Sequence, residues 1–579
     1  MLRRKIAGVL LISAILLPTA SFAQTTAPAK AVYNAPKEVI DKIKDEGMNR
    51  SQVMQTLSYM TDVIGPRLTG SPGMKRGNDW TRETLEKWGL QNAHLESWGP
   101  FGRGWTLKRF SAMVDGPVAF PVIAYPKAWS PGTDTLFPAP VVDPKAKKGK
   151  TPVAAAPQST AYTAEVVRFS ATKEEDLEQY KGKLKGKIVL IGAMREVKAH
   201  FEPEGKRASE KELLELADAP NPASVQRAAG PPAGLPTNFA QMQQFNAKRM
   251  RFLSSEGAAI LVDAGRGDGG TVFVQGAAVV PPETPTPGQP PMNVRTKGAN
   301  VPIQISTAVE HFNRMSRMID AGEKVTMTVD LAVEFQDQDL NGYNTIAEIP
   351  GSDPTLKEEV VMLGGHLDSW QGGTGATDNG AGCAVMMEAV RILQTLGLKP
   401  RRTIRIALWS GEEQGLLGSR AYVRQHFGYR GDGTAPAFGG GGGGGQAQAA
   451  LPLTKLPEYD KLSAYFNIDN GTGKIRGVYM QGNENVRPIF RSWLTPFKEM
   501  GATTLTSSNT GGTDHLAFDA IGLPGFQFIQ DVIEYDTRTH HSNMDVFDRI
   551  QADDMKQMSI ILATFVYQTA MMDEKMPKK

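Results

Sequence analysis

The stretch "EVVMLGGHLDSW", Glu359–Trp370, decides the fold. An apolar run passes through two glycines straight into a histidine and, two residues later, an aspartate. That is how a buried strand reads when it carries polar side chains only at its carboxyl end. Working outward, the same design recurs. A helical pattern with Ala381, Val385, Ala389, Ile392 and Leu396 on one face comes after it. Next come a strand "RTIRIALW" leading into "SGEE", a helix over 414–427, a strand "LSAYFNID", a strand "PGFQFIQ", and a last helix marked by Met555, Met558, Leu562, Phe565, Thr569 and Met572. Strands alternating with helices predict an α/β fold, a three-layer sandwich around a mixed, mostly parallel sheet.

In open sheets of this kind, ligands bind beyond the carboxyl ends of the strands. The residues just past each apolar run are therefore informative. The ends deliver His366 and Asp368, then Glu412 and Glu413, then Asp469, and finally His540 and His541. Asp378 and Asn379 come after the loop that leaves the first strand. Four of the eight histidines, His366, His515, His540 and His541, stand at or near these ends. Imidazoles mixed with carboxylates suit zinc, and the surplus of carboxylates points to two ions sharing a bridge. Each residue also has an ordinary alternative. Glu412–Glu413 could be an exposed acidic pair at a helix start. Asp469 could serve a turn. Asp378 could be a helix N-cap, and His540–His541 a solvated loop.

The ordered set "GGHLDSW", "ATDNGAG", "SGEEQGLLGS", "FNIDNGTG", "GGTDHLAF" and "THHSNMD", with an earlier "GPRLTGSPG" (Gly65–Gly73), resembles the co-catalytic zinc peptidases that include bacterial leucyl aminopeptidases and glutamate carboxypeptidases. The resemblance implies two Zn2+ per chain. His366 and Asp469 would hold one, Glu413 and His541 the other, with Asp378 as the bridge. It implies Glu412 as general base acting on a bridging hydroxide, and Asp368 as the carboxylate that orients the His366 ring. His541 is preferred over His540 because the family's ligand is followed by Ser or Thr and then an acid four residues on, as Ser542 and Asp545 provide. Asp514 and His515 resemble the loop lining the substrate pocket, and Asp378–Asn379 is where the family often has a cis peptide. The implied activity is hydrolysis of a terminal peptide bond, first of all as an aminopeptidase. Three alternatives stay open: a carboxypeptidase or dipeptidase of the same family, a glutaminyl-cyclase-like transferase with one zinc, and a non-catalytic binding relative.

The rest of the chain frames this centre. Its 579 residues suggest two or three domains. The net charge is only +3, and no basic run alternates with aromatics, so nucleic acid is not an expected partner. Residues 1–23 read as a signal peptide, with Arg3, Arg4 and Lys5, an apolar run Ile6–Leu17, and Ser21 and Ala23 before the cleavage point. That predicts export to the periplasm or beyond, and no membrane span after cleavage. Residues 24–36 read as a loose terminus. The single cysteine, Cys383, falls within a helical pattern and reads as a core thiol. The helical stretch from Lys37 to Leu90 includes Ser71–Pro72, an N-cap followed by a first-turn proline.

Residues 118–334 are richer in Pro and Gly with short apolar runs. They read as an inserted β-rich domain without a cluster of metal ligands. "LKGKIVLIGA" and "SSEGAAILV" resemble the protease-associated domain. The catalytic part would then be 37–117 and 335–579, interrupted at 439–450 by a flexible Gly-rich insert. Oligomeric state is not readable from the sequence.

Overall fold

The computed structural model describes residues 32–137, 160–224, 239–284, 291–431 and 451–579. Residues 1–23, read above as a signal peptide, residues 24–31 of the N-terminal segment and the Gly-rich stretch at 439–450 lie outside the described residues.

The run that opens at Val360 forms a strand buried at every position, Val360–His366. It sits inside an eight-stranded sheet of β1 (Gln91–Trp98), β2 (Gly342–Ile349), β3 (Val360–His366), β4 (Thr403–Trp409), β5 (Leu462–Asn467), β6 (Ile475–Tyr479), β7 (Thr504–Thr506) and β8 (Gly525–Gln530), in the order β1-β2-β4-β3-β5-β8-β6-β7. Pairings β3–β4, β3–β5, β5–β8 and β6–β7 are parallel, and β1–β2, β2–β4 and β6–β8 antiparallel, the mixed and mostly parallel sheet expected.

Successive side chains of one strand define the layers. Tyr465 stacks on Phe518 at 4.2 Å between ring centroids, beneath the helices Leu417–His426 and His515–Asp519. Its neighbour Phe466 meets Phe565 edge-on at 6.2 Å, beneath the helix Ala552–Met571. The helix Ala381–Thr395 packs beside Ala552–Met571. The helix Pro72–Lys87 begins as the sequence predicts, with the Ser71 hydroxyl accepting from Met74 N at 3.1 Å.

A second eight-stranded sheet carries the region expected to be inserted. Its order is Phe120–Pro121, Gly104–Gly116, Thr326–Gln336, Tyr162–Phe169, Ile188–Ile191, Ile260–Ala264, Ile303–Thr307, Ala124–Pro126. Two expectations need correcting. The seam lies nearer residue 103 than 118, because Gly104–Gly116 pairs along its whole length with Thr326–Gln336, from Gly104↔Gln336 to Gly116↔Thr326. The region is also not simply β-rich. Three successive pairings from Tyr162–Phe169 to Ile303–Thr307 are parallel, which requires crossovers, and the helices Glu210–Ala217 and Phe239–Ser255 lie between those strands. The short apolar runs mark strands of four or five residues buried on both faces. Both sheets lie within one unit, Tyr33–Lys579. Among the described residues, no helix is long and apolar enough to cross a membrane.

Candidate metal centre

Register brings the strand ends level. His366 pairs with Trp409 across β3 and β4, so the turn Ser410–Glu413 opens beside the imidazole. The neighbouring pairing Gly364↔Asn467 places Asp469 just beyond the end of β5. Asp378 occupies the turn ahead of the helix Ala381–Thr395, and the Asp378–Asn379 peptide is cis, where the family resemblance put it. Asn379 does the capping there, its Oδ1 accepting from Gly382 N at 3.1 Å, which leaves the Asp378 carboxylate free to face the cluster.

The side chains named from sequence converge. His366 Nε2 lies 3.2 Å from Asp378 Oδ1 and 3.4 Å from Asp469 Oδ1. His541 Nε2 lies 3.1 Å from Asp378 Oδ2 and 2.9 Å from Glu413 Oε2. Asp378 thus turns one oxygen to each group, the shape of a bridging carboxylate. Glu412 Oε2 stands alongside, 4.0 Å from His366 Nε2. His540 reaches only to 3.8 Å from Asp378 and stacks on Tyr535, so geometry also favours His541 of the pair. The solvated-acid alternative for Glu412 does not hold, since it is only 8% exposed and the next helix starts later, at Leu417.

The role foreseen for Asp368 is divided. The His366 Nδ1 lies 3.0 Å from the Asp368 main-chain oxygen and 3.6 Å from its carboxylate. The carboxylate itself accepts from Glu412 N at 3.2 Å, Glu413 N at 3.3 Å and Thr69 Oγ1 at 3.0 Å, and so holds the acidic turn in place. Asp514 and His515 are both fully buried. The His515 Nε2 turns to Gln481 and to the Thr510 carbonyl rather than to the cluster, whereas Asp514 lies close enough to Asp469 and Glu412 to perturb them.

Two supports went unrecognised in the sequence. Arg67, fully buried, donates to the carbonyls of Leu367 (2.7 Å), Thr374 (2.8 Å) and Gly375 (2.7 Å), tying the loop between His366 and Asp378. Thr69 joins Asp368 to Gly411 N, 2.9 Å from its hydroxyl. Both sit in "GPRLTGSPG", whose resemblance was visible while its function was not, because the contacts span some 300 residues. The second sheet's region, expected to lack any cluster of metal ligands, does hold a group with that chemistry. His200 lies 2.8 Å from Glu204 and 2.9 Å from Asp268, a meeting that the sequence reading missed. Both ring nitrogens are taken by carboxylates and Arg538 also pairs with Glu204, so it is a complete ion-pair network.

The electrostatics show what the main cluster lacks. Burial, reinforced by Asp378, pushes Glu413 up to about 8 against the pull of His541. Burial with Asp469 and Asp514 pushes Glu412 well above the carboxylate range. Burial, reinforced by Asp469 and Asp368, raises Asp514 to about 7 despite His366, and burial with Asp378 raises Asp545 to about 7. Against burial, Glu413 and Asp378 hold His541 up at about 10. Negative charge is in surplus in a largely buried space. His366 Nε2, Asp378 Oδ2, Glu413 Oε1 and Asp469 Oδ1 are buried there without hydrogen-bond partners. Buried polar atoms left so are costly unless something binds them. Two imidazole nitrogens and three carboxylates around one bridging group fit a pair of divalent cations.

Comparison with known proteins places the chain among peptidase-like sequences. Residues 344–566 match the model of peptidase family M28. Over that stretch the chain is similar to the M28 peptidases. Carboxypeptidase Q from Mus musculus is 30% identical over 270 residues, 47% of this chain and 50% of that protein, so the match spans about half the length of that relative. Carboxypeptidase Q from Bos taurus is 25% identical over 590 residues, 97% of each chain. A probable leucine aminopeptidase 2 from Aspergillus fumigatus is 38% identical over 107 residues, 18% of this chain and 20% of that one. The crystal structure of a peptidase M28 precursor from Shewanella amazonensis shares the fold, with a TM-score of 0.59 at 20% identity, over 94% of this chain and 98% of that one. The M28 match covers β2 to β8 and all five clustered residues.

Proposed function

We propose that the protein is a zinc-dependent exopeptidase, acting first of all as an aminopeptidase. One observation carries this reading: Asp378 presents one carboxylate oxygen to His366 and Asp469 and the other to His541 and Glu413, with Glu412 alongside. In this reading His366, Asp378 and Asp469 hold one Zn2+, and His541, Asp378 and Glu413 the other. Bound there, the ions would polarise the scissile carbonyl as Lewis acids and make a nearby water easier to deprotonate. Glu412 takes the proton of the attacking water at Oε2 and delivers it to the leaving amine, a role that suits a carboxylate standing 4.0 Å from His366 Nε2 beside the cluster. Asp368 keeps the Glu412–Glu413 turn aimed, and Arg67 keeps the His366 and Asp378 loops at fixed separation. The His366, Asp378, Glu413 and Asp469 side chains are at most 8% exposed and that of His541 18%, and this burial strengthens the charge interactions within the centre.

A carboxypeptidase or dipeptidase action is the second reading, supported by likeness to carboxypeptidase Q along nearly the whole chain. Residues 104–336 are proposed as a protease-associated domain, and residues 1–23 as an export signal. The deciding experiment is a panel of dipeptides blocked at the amino or the carboxyl end, assayed with and without chelator. Cleavage that tolerates a C-terminal block and fails with an N-terminal block supports the aminopeptidase. The opposite preference supports the second reading. Cleavage indifferent to chelator overturns both.

A further inference from the structure

The strip Thr271–Gly276 belongs to the second sheet's region, between Ile260–Ala264 and Ile303–Thr307, yet it lies along the loop that carries His541. Val274 N donates to the His541 carbonyl at 2.9 Å, Phe273 bridges Ser542, and Asn543 N donates to the Val272 carbonyl at 3.1 Å. Val272 N returns a bond to Asn543 Oδ1 at 2.7 Å, and Arg538 reaches Thr271 Oγ1 at 3.1 Å. This ladder holds His541 at φ 65°, a left-handed conformation that is uncommon without glycine. From the same strip, Gln275 Nε2 lies 2.9 Å from His541 Nδ1, the ring nitrogen facing away from Asp378 and Glu413. The Gln275 main chain is itself clamped, its carbonyl accepting from Ala128 N at 3.0 Å and Gln371 Nε2 at 3.3 Å. Trp370 meets the ring edge-on at 6.1 Å.

A histidine that binds a cation through Nε2 keeps its proton on Nδ1 and needs an acceptor there. The two ends of a glutamine amide exchange by a half-turn at no cost in shape, so Gln275 can offer Oε1 to that proton. His366 has its own acceptor, the Asp368 main-chain oxygen, inside the M28-matched stretch. His541 has Gln275, from outside it.

Resting on the two-zinc reading above, we infer that Gln275 is a positioning residue for His541: it sets the rotation and tautomer of one metal ligand from the second sheet's region. That region is then part of the metal centre's construction. The dependence is lopsided, because among the described residues neither the His366 ring nor Asp469 has such a partner from the second sheet's region.

The test is zinc titration of the chelator-stripped full chain against a competing chromogenic chelator. Wild type is expected to take up two zinc ions; uptake of one or none overturns the two-zinc reading itself, before any variant is measured. In Gln275→Met, which keeps length and loses the acceptor, one of the two affinities should fall by about 10–100-fold while the other holds. Gln275→Glu, with an acceptor oxygen, should restore it. Gln275→Lys, a donor only, should weaken the same site and stands in if the Met variant does not fold. Unchanged affinities in the Met and Lys variants, an equal fall at both sites, or no recovery with Glu would each overturn the role of Gln275.

Discussion

Glu412 and Arg67 show two ways a single side chain can matter. Glu412 touches no other ligand closely, so it can change identity without breaking the cluster. If the proposed reading holds, Glu412→Gln should keep the wild-type zinc content and lose about 10²–10⁴ in kcat. Wild-type turnover in that variant would remove it from the mechanism. Arg67 carries no chemistry, yet its guanidinium satisfies the carbonyls of Leu367, Thr374 and Gly375 at once. Arg67→Met should cost roughly 3 kcal/mol or more in urea unfolding, since each buried acceptor left bare costs about 1–3 kcal/mol. Arg67→Lys should recover little, because an ammonium cannot match a planar fork of donors. The contrast explains what was readable. Glu412 comes directly after an apolar strand and announces itself by position, whereas Arg67 sits in a loop some 300 residues from its partners and nothing local marks it as buried.

At the scale of elements, register does the work. Parallel strands buried on both faces have continuous apolar runs, so β3, β4, β5 and β8 could be found and their carboxyl ends inspected. Helix boundaries were less secure: the helix expected over 414–427 begins at Leu417, because residues 413–416 form a turn in which Gly415 N and Leu416 N both donate to the Glu412 carbonyl. That helix is tied to β1 by its last residue. His426 lies 2.8 Å from Glu96 and 3.1 Å from Glu458. Burial alone would lower its pKa, but the two carboxylates outweigh it and raise it to about 9. A raised histidine contributes stability that is full below its unfolded pKa of about 6.5 and is lost as pH climbs through about 9. His426→Gln should therefore destabilise most near pH 6, with the gap to wild type closing by about pH 9.5 in urea titrations. A gap independent of pH would mean that the ring acts by packing alone.

For the whole molecule, the metal centre is where two sheets and several distant loops meet, so its occupancy should be felt globally. Stripping zinc with a chelator should lower Tm, and added zinc should restore it. A ligand at 100 times its Kd stabilises by about 2.7 kcal/mol when it binds the folded chain alone. A Tm indifferent to the chelator would separate folding from the centre. The seam between the two sheets also lay beyond sequence reading. Gly104–Gly116 looks from its neighbours like part of the first region, and only its full pairing with Thr326–Gln336 assigns it to the second sheet. The same blindness hid the meeting of His200 with Asp268 and of Gln275 with His541.

What the sequence determined by itself was the α/β alternation, the sheet's mixed and mostly parallel character, and the residues that stand at the strand ends, because hydrophobic periodicity and strand polarity are local properties written in consecutive residues. What only the tertiary structure decided was which atoms face one another: Asp378 split between two histidines, Asp368 steadying the acidic turn, Arg67 and Gln275 acting from afar. Those contacts depend on how separate segments dock, and a hydrogen bond between residues hundreds of positions apart leaves no period in the chain to read.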